Sequence, residues 1–187
     1  MNSEVRERMI EGTMLLLARG GPQAASFADV ISATGAPRGS LYHHFPNGKR
    51  ELVEAATERA GTILADLLEP LKGTSPETMV DGFLAIWRTV LIRSKFESGC
   101  AVAAFTIAAE SGEQSALASR IFQAWILQLT GLLQEGGVSA HEARAFAVML
   151  LASVEGAVIL SRAEKSLDPF ETVAQQLIAQ VRALHTN

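Results

Sequence analysis

The side chains best suited to chemistry crowd into one short stretch, RGSLYHHFPNGKREL, from Arg38 to Leu52. Two adjacent histidines, His43 and His44, first suggest a metal site or a general acid–base pair. On a helix, however, neighbouring side chains diverge by about 100°, so these two cannot close on one ion. The other histidines, His141 and His185, stand far off in sequence, and no His–carboxylate or Cys–His spacing accompanies them. No Gly-rich phosphate loop occurs either. The residues therefore predict no enzyme, no metal and no cofactor. They suit contact with nucleic acid. Arg38 can pair with a guanine edge or a phosphate. Ser40 is small enough to allow close approach, and Tyr42 and the histidines are flat, polar-tipped and long enough to reach a backbone.

Such residues need a helix to present them. Apolar residues recur at three and four, and no segment alternates over strand length between turn signals, so the chain reads as all-α. Val5, Met9, Thr13 and Leu16 or Leu17 line a first helix, closed by RGGP at 19–22. Ser26 reads as an N-cap with Asp29 three later as a capping box, opening a short helix over 27–33. Gly35 supplies a turn, and Pro37 suits the first turn of a helix over 38–44. Leu41 and Phe45 are its inward anchors, Pro46 stops it, and Asn47 reads as the cap of a long helix running to about Leu71. Two short helices around a glycine turn, after a longer one, make a helix-turn-helix over about 26–45.

The run SFADVISATGAPRGSLYHHFPNGKREL resembles the signature of the TetR family of bacterial transcriptional regulators. Ser26, Gly35, Ser40, Leu41, Tyr42, Phe45 and Lys49 match that pattern position by position, within a resemblance covering about residues 4–55. HHFPNGK, with an extra glycine before Lys49, and ESGCAVAA look similar to the LmrA/YxaF-like subgroup. The resemblance implies DNA contacts from Ser26, Pro37, Arg38, Gly39, Ser40, Tyr42, His43, His44 and Lys49. Pro37 departs from the pattern, where Ser or Thr is commoner; it removes a polar contact and offers an apolar one to a thymine methyl. Tyr42 could instead pack under the domain, and Arg50 could simply pair with Glu54.

Charge is consistent with this placement. The net charge of −4 falls entirely in residues 61–187, with nine basic residues against thirteen acidic; residues 1–60 hold seven of each. From Val30 to Arg50 there are three basic residues and no acidic one. The single cysteine, Cys100, excludes an internal disulfide. With no signal-peptide pattern, this predicts a cytoplasmic protein. The most apolar run, 145–160, is 16 residues long and carries Glu155, which reads as too short for a membrane span.

The rest of the chain predicts helices near 76–95, 102–111, 114–135, 139–163 and 169–185, about nine in all. The predicted domains are 1–50, binding DNA, and 51–187, which the family resemblance implies dimerises and holds an effector. The 145–160 helix is apolar nearly all round and needs cover on both sides. A second copy would supply it through Ala152, Ser153, Gly156, Ala157 and Leu160, with Val173, Leu177 and Val181 from the last helix. Effector candidates are Phe83, Trp87, Cys100, Phe105, Phe122, Trp125, Met149 and Glu155; each aromatic could equally be plain core. Glu155 is solvated, paired across a dimer, or inside the pocket, and Cys100 is a buried small hydrophobe or a redox-sensing thiol. The expected whole is a homodimeric repressor released from a palindromic DNA operator by a small apolar or aromatic effector that shifts the 47–71 helix. The alternative is an effector-binding scaffold whose helix-turn-helix no longer binds DNA.

Overall fold

The computed structural model describes residues 2–185. Among them all regular structure is helical: α1 Asn2–Gly20, α2 Phe27–Thr34, α3 Arg38–His44, α4 Lys49–Leu68, α5 Pro76–Arg93, α6 Ala101–Ile107, α7 Gly112–Glu135, α8 Ala140–Glu164 and α9 Asp168–His185. Single 3-10 turns follow α1 and α4. The chain forms two compact units. The first is the chain through Ile63 with Cys100–Ile121; the second is Leu64–Gly99 with the chain from Phe122 onward. The boundary predicted at residue 50 does not anticipate this, because α6 and the start of α7 return to the first unit.

In the first unit α1 turns Met9, Thr13 and Leu17 inward, which decides between Leu16 and Leu17. Met9 and Leu17 pack with Val30, Leu41, Phe45, Leu52 and Phe105. Gly12 lets α1 approach α2: a Cβ there would sit 2.3 Å from the Thr34 methyl.

In the second unit α5 buries Met79, Phe83, Trp87 and Leu91; α7 buries Trp125 and Leu129; α8 buries Phe146, Leu150, Val154 and Ala157; α9 buries Phe170, Leu177 and Val181. Arg88 of α5 makes a two-pronged ion pair with Glu171 of α9, one arm at 3.0 Å, and its guanidinium lies 5.8 Å over the Phe170 ring. That hydrogen bond holds the Glu171 carboxyl below the usual carboxylate range. The Ser161 hydroxyl accepts the buried Phe170 N–H at 3.2 Å and ties α8 to the start of α9.

Two sequence expectations need correction here. The apolar run at 145–160 lies inside a 25-residue helix, so α8, like α7, is long and apolar enough to cross a membrane by composition. Both instead give a face to the core, the ordinary origin of such helices. Ala157, Leu177 and Val181, predicted to meet a second copy, are at most 3% exposed. The α9 stripe is spent on its own unit. Ala152, Gly156 and Leu160 do face outward, with Ser153 and Val173 half-buried.

Candidate nucleic-acid interface

The reading helix is built by local chemistry. The Ser26 hydroxyl accepts the Asp29 N–H at 3.2 Å and the Asp29 carboxylate accepts the Ser26 N–H at 3.2 Å, a complete capping box that starts α2. Gly35 ends α2 in the left-handed conformation, φ 65°, donating to Ile31 O. The Thr34 hydroxyl donates to Val30 O at 2.7 Å and accepts the Ala36 N–H at 3.3 Å, closing the turn. Pro37 sits one residue earlier than predicted, as the cap with ψ 135° and not inside the first turn.

The seven-residue α3 is too short to persist alone in water, where about 12–15 residues are marginal. Leu41 and Phe45 hold it, both fully buried as predicted. The Arg6 guanidinium caps the Phe45 ring at 5.2 Å. This leaves Pro37, Arg38, Gly39, Tyr42 and His43 exposed, with Ser26, Ser40 and His44 half-buried. Tyr42 is 69% exposed, so it does not pack beneath the domain. Its ring stands edge-on to Phe27 at 5.4 Å, and Phe27, Ala28, Ile31, Arg38, Leu41 and Tyr42 line a shallow cleft between α2 and α3. The His43 and His44 rings lie 5.2 Å apart at 66°. Among the described residues no group of three or more His, Cys, Asp or Glu could hold a metal ion.

Asn47 does not cap α4. The chain after Phe45 makes a turn in which Gly48, at φ 78°, donates to Phe45 O at 2.9 Å. The extra glycine therefore supplies a left-handed residue that other side chains resist. The Asn47 N–H goes to the Glu51 carboxylate at 3.0 Å, and α4 starts at Lys49. Lys49 is exposed at that N-terminus, where free N–H groups favour an anion. Among the described residues it has no carboxylate partner. Arg50 does, pairing with Glu54 at 3.9 Å and also with Glu113 at 3.8 Å.

The sequence did not mark Phe27 or Arg6, and it marked Gly48 only as the extra glycine of a subgroup pattern. Phe27 and Arg6 meet their partners across helices, which no periodicity reveals. A glycine directly before a cation at a helix start was the available signal for Gly48.

The eight effector candidates divide. Phe83, Trp87 and Trp125 are buried in the second unit, and Phe122, Met149 and Glu155 are half-buried there. Cys100 and Phe105 belong to the first unit. Phe105 fills the core beneath α1, and the Cys100 sulfur caps α6 by accepting the Ala103 N–H at 3.3 Å. One carboxylate oxygen of Glu155 is sealed from solvent, which removes the fully solvated alternative.

Two stretches of the chain match known families. Residues 76–176 match the LmrA/YxaF-like transcriptional regulator C-terminal domain, and residues 9–56 match the bacterial regulatory proteins of the tetR family. The chain belongs to the TetR family of transcriptional regulators. An uncharacterized HTH-type transcriptional regulator of Mycobacterium tuberculosis H37Rv is 30% identical, over 92% of this chain and 91% of its own. LmrA of Bacillus subtilis is 27% identical, over 88% of this chain and 89% of its own. A TetR regulatory protein from Rhodobacter sphaeroides superposes with a TM-score of 0.83 at 23% identity, covering 92% of this chain and 96% of that one. At that identity the likeness supports the fold alone. The two family matches and the relatives make this TetR-family chain a DNA-binding transcriptional regulator.

Proposed function

We propose that the protein is a homodimeric repressor that reads a palindromic operator with α3 and leaves it when a small effector enters the second unit. The carrying observation is Gly39. It lies in the first turn of α3, and a Cβ there would meet nothing within 4 Å. Glycine costs roughly 0.5–1 kcal/mol relative to alanine in a helix interior, less in a first turn, and no internal contact explains it. Close approach of DNA does, since the groove floor must come near the helix backbone. Exposed Arg38, Tyr42 and His43 flank the same surface. Lys49 supplies a point charge for a phosphate.

The dimer reading rests on α8. Val148, Ala152, Gly156, Ile159 and Leu160 all face outward, and Ile159 is 56% exposed. An apolar stripe of this length suits a second copy of itself, with small residues allowing close packing. A two-fold dimer would set recognition helices about 34 Å apart, one DNA turn. The effector reading rests on Trp87, whose buried indole N–H has no acceptor among the described residues. An aromatic or apolar ligand carrying an acceptor would satisfy it.

The test is Gly39→Ala. Melting temperature should hold or rise, while operator affinity measured by fluorescence anisotropy falls at least about tenfold. Unchanged affinity would remove the close-approach argument. If the wild-type protein itself shows no salt-sensitive binding to any palindrome, the scaffold alternative takes over.

A further inference from the structure

The chain crosses between its two units three times. Two crossings, at Ile63–Leu64 and Ile121–Phe122, fall inside the continuous helices α4 and α7. The third, at Gly99–Cys100, follows the non-helical segment 94–99. A change of chain course is absorbed at such a segment, because a helix interior resists it.

The segment has an unusual backbone. Lys95 and Phe96, at φ 53° and 62°, are consecutive non-glycine residues in the left-handed region. Lys95 occupies the place after α5 where glycine is customary, and the Phe96 N–H closes the helix end on Leu91 O at 2.8 Å. Phe96 then repeats the disfavoured conformation, for which a helix cap gives no reason. Strain of this kind persists only where surrounding contacts hold it.

Those contacts come from the end of α8. Lys165 Nζ donates to Phe96 O at 3.4 Å and pairs with the Glu97 carboxylate at 2.6 Å. Arg162 donates to Glu97 O at 3.1 Å. Gly99 makes room for it, since a Cβ there would come within 2.9 Å of the guanidinium. Lys165 is itself left-handed, φ 52°, closing α8 on Ser161 O. Two helices thus end side by side, and one basic pair neutralises both the loop carbonyls and the Glu97 carboxylate.

We propose that residues 94–99 form a latched hinge: a strained linker held shut by Lys165 and Arg162, free to relax when the latch opens. Opening trades the ion pair and two carbonyl contacts against relief of two left-handed residues. Opposing terms of similar kind make a two-state element. The ion pair is exposed, so salt weakens the latch.

Amide hydrogen exchange on the free full-length protein tests this without DNA or effector, so its outcome is separate from the regulator reading. The probes are the N–H groups of Phe96, Glu97 and Ser98, bonded to Leu91 O, Ser94 O and Ser94 Oγ. Lys165→Met keeps the stem and removes the charge. It should speed exchange at these amides about two- to fivefold, the range of an exposed ion pair. Lys95→Asn, which tolerates the left-handed region better, should slow it, and the double variant should return near wild type. Amides in the middle of α5 should not change. Should Lys165→Met perturb folding, Glu97→Gln opens the same latch and should speed the same amides. Unchanged exchange in both charge variants, or faster exchange in Lys95→Asn, overturns the hinge.

Discussion

Helices α3 and α8 each keep one face out of the protein's own core, and the two faces differ in kind. On α3 the outer face is Arg38, Gly39, Tyr42 and His43 on a seven-residue helix. On α8 it is Val148, Ala152, Gly156, Ile159 and Leu160 on a 25-residue helix. A polar, aromatic face with a glycine has no hydrophobic reason to seek another protein; its hydrogen-bond donors fit base edges and phosphates. An apolar face gains by shedding water and makes few directed bonds, so it suits an apolar cover, which the proposed dimer would supply as a copy of itself. The chemistry of what a helix leaves outside therefore names the class of its partner.

The comparison breaks most readily at Ile159. Placing a charge in the α8 face, Ile159→Asp, should convert a dimer to monomer with at least about a 100-fold loss in association, since an unpaired buried charge is costly. Sedimentation velocity reads this directly, and operator affinity should fall with it. A variant that stays dimeric would show that α8 meets something else. Next in size is Arg38→Ala, expected to weaken the preferred site by about 1–3 kcal/mol while relaxing specificity at one base. The dimer should persist. Lys49→Ala sharpens the distinction within the DNA face. It should weaken all sequences alike and lower the salt slope by about one; a base-specific loss would contradict its phosphate role.

The smallest effect tests the inner side of the second unit. Glu171→Gln removes the carboxylate that Arg88 holds, with both groups partly exposed. We expect a loss near 0.5–1 kcal/mol at neutral pH, discounted for solvent screening. The folded-state pKa of Glu171 lies below the ordinary 4.5. Its contribution is therefore complete above 4.5 and disappears as pH falls through the lower folded value. Thermal melts of wild type and variant should converge in that acid range. A gap that persists at low pH would assign the effect to packing.

Where short-range chemistry decides the structure, the sequence was legible. Ser26 with Asp29, Gly35, Leu41 with Phe45, and Pro46 each act within a few residues, and the helix-turn-helix stands where they placed it. Asn47 was misjudged because a cap there and a left-handed turn at Gly48 compete over two residues, and backbone closure onto Phe45 settles it. The longer-range errors share one cause. An apolar stripe says that a face is buried without saying by what, so Leu177 and Val181 looked free for a second copy when α5 and α8 already cover α9. Lys95, Phe96 and Lys165 carry no glycine or asparagine to announce their conformation.

The dependence of α3 on Leu41 and Phe45 has a genetic corollary. Because so short a helix exists only while its anchors are seated, lesions at core positions such as Met9 or Leu52 should impair DNA reading at least as much as lesions at Arg38. If the protein is the repressor proposed above, a screen for derepressed colonies should therefore recover both kinds of allele in one phenotypic class. They part only on a second criterion: core alleles should be rescued by lower growth temperature, and contact alleles should not.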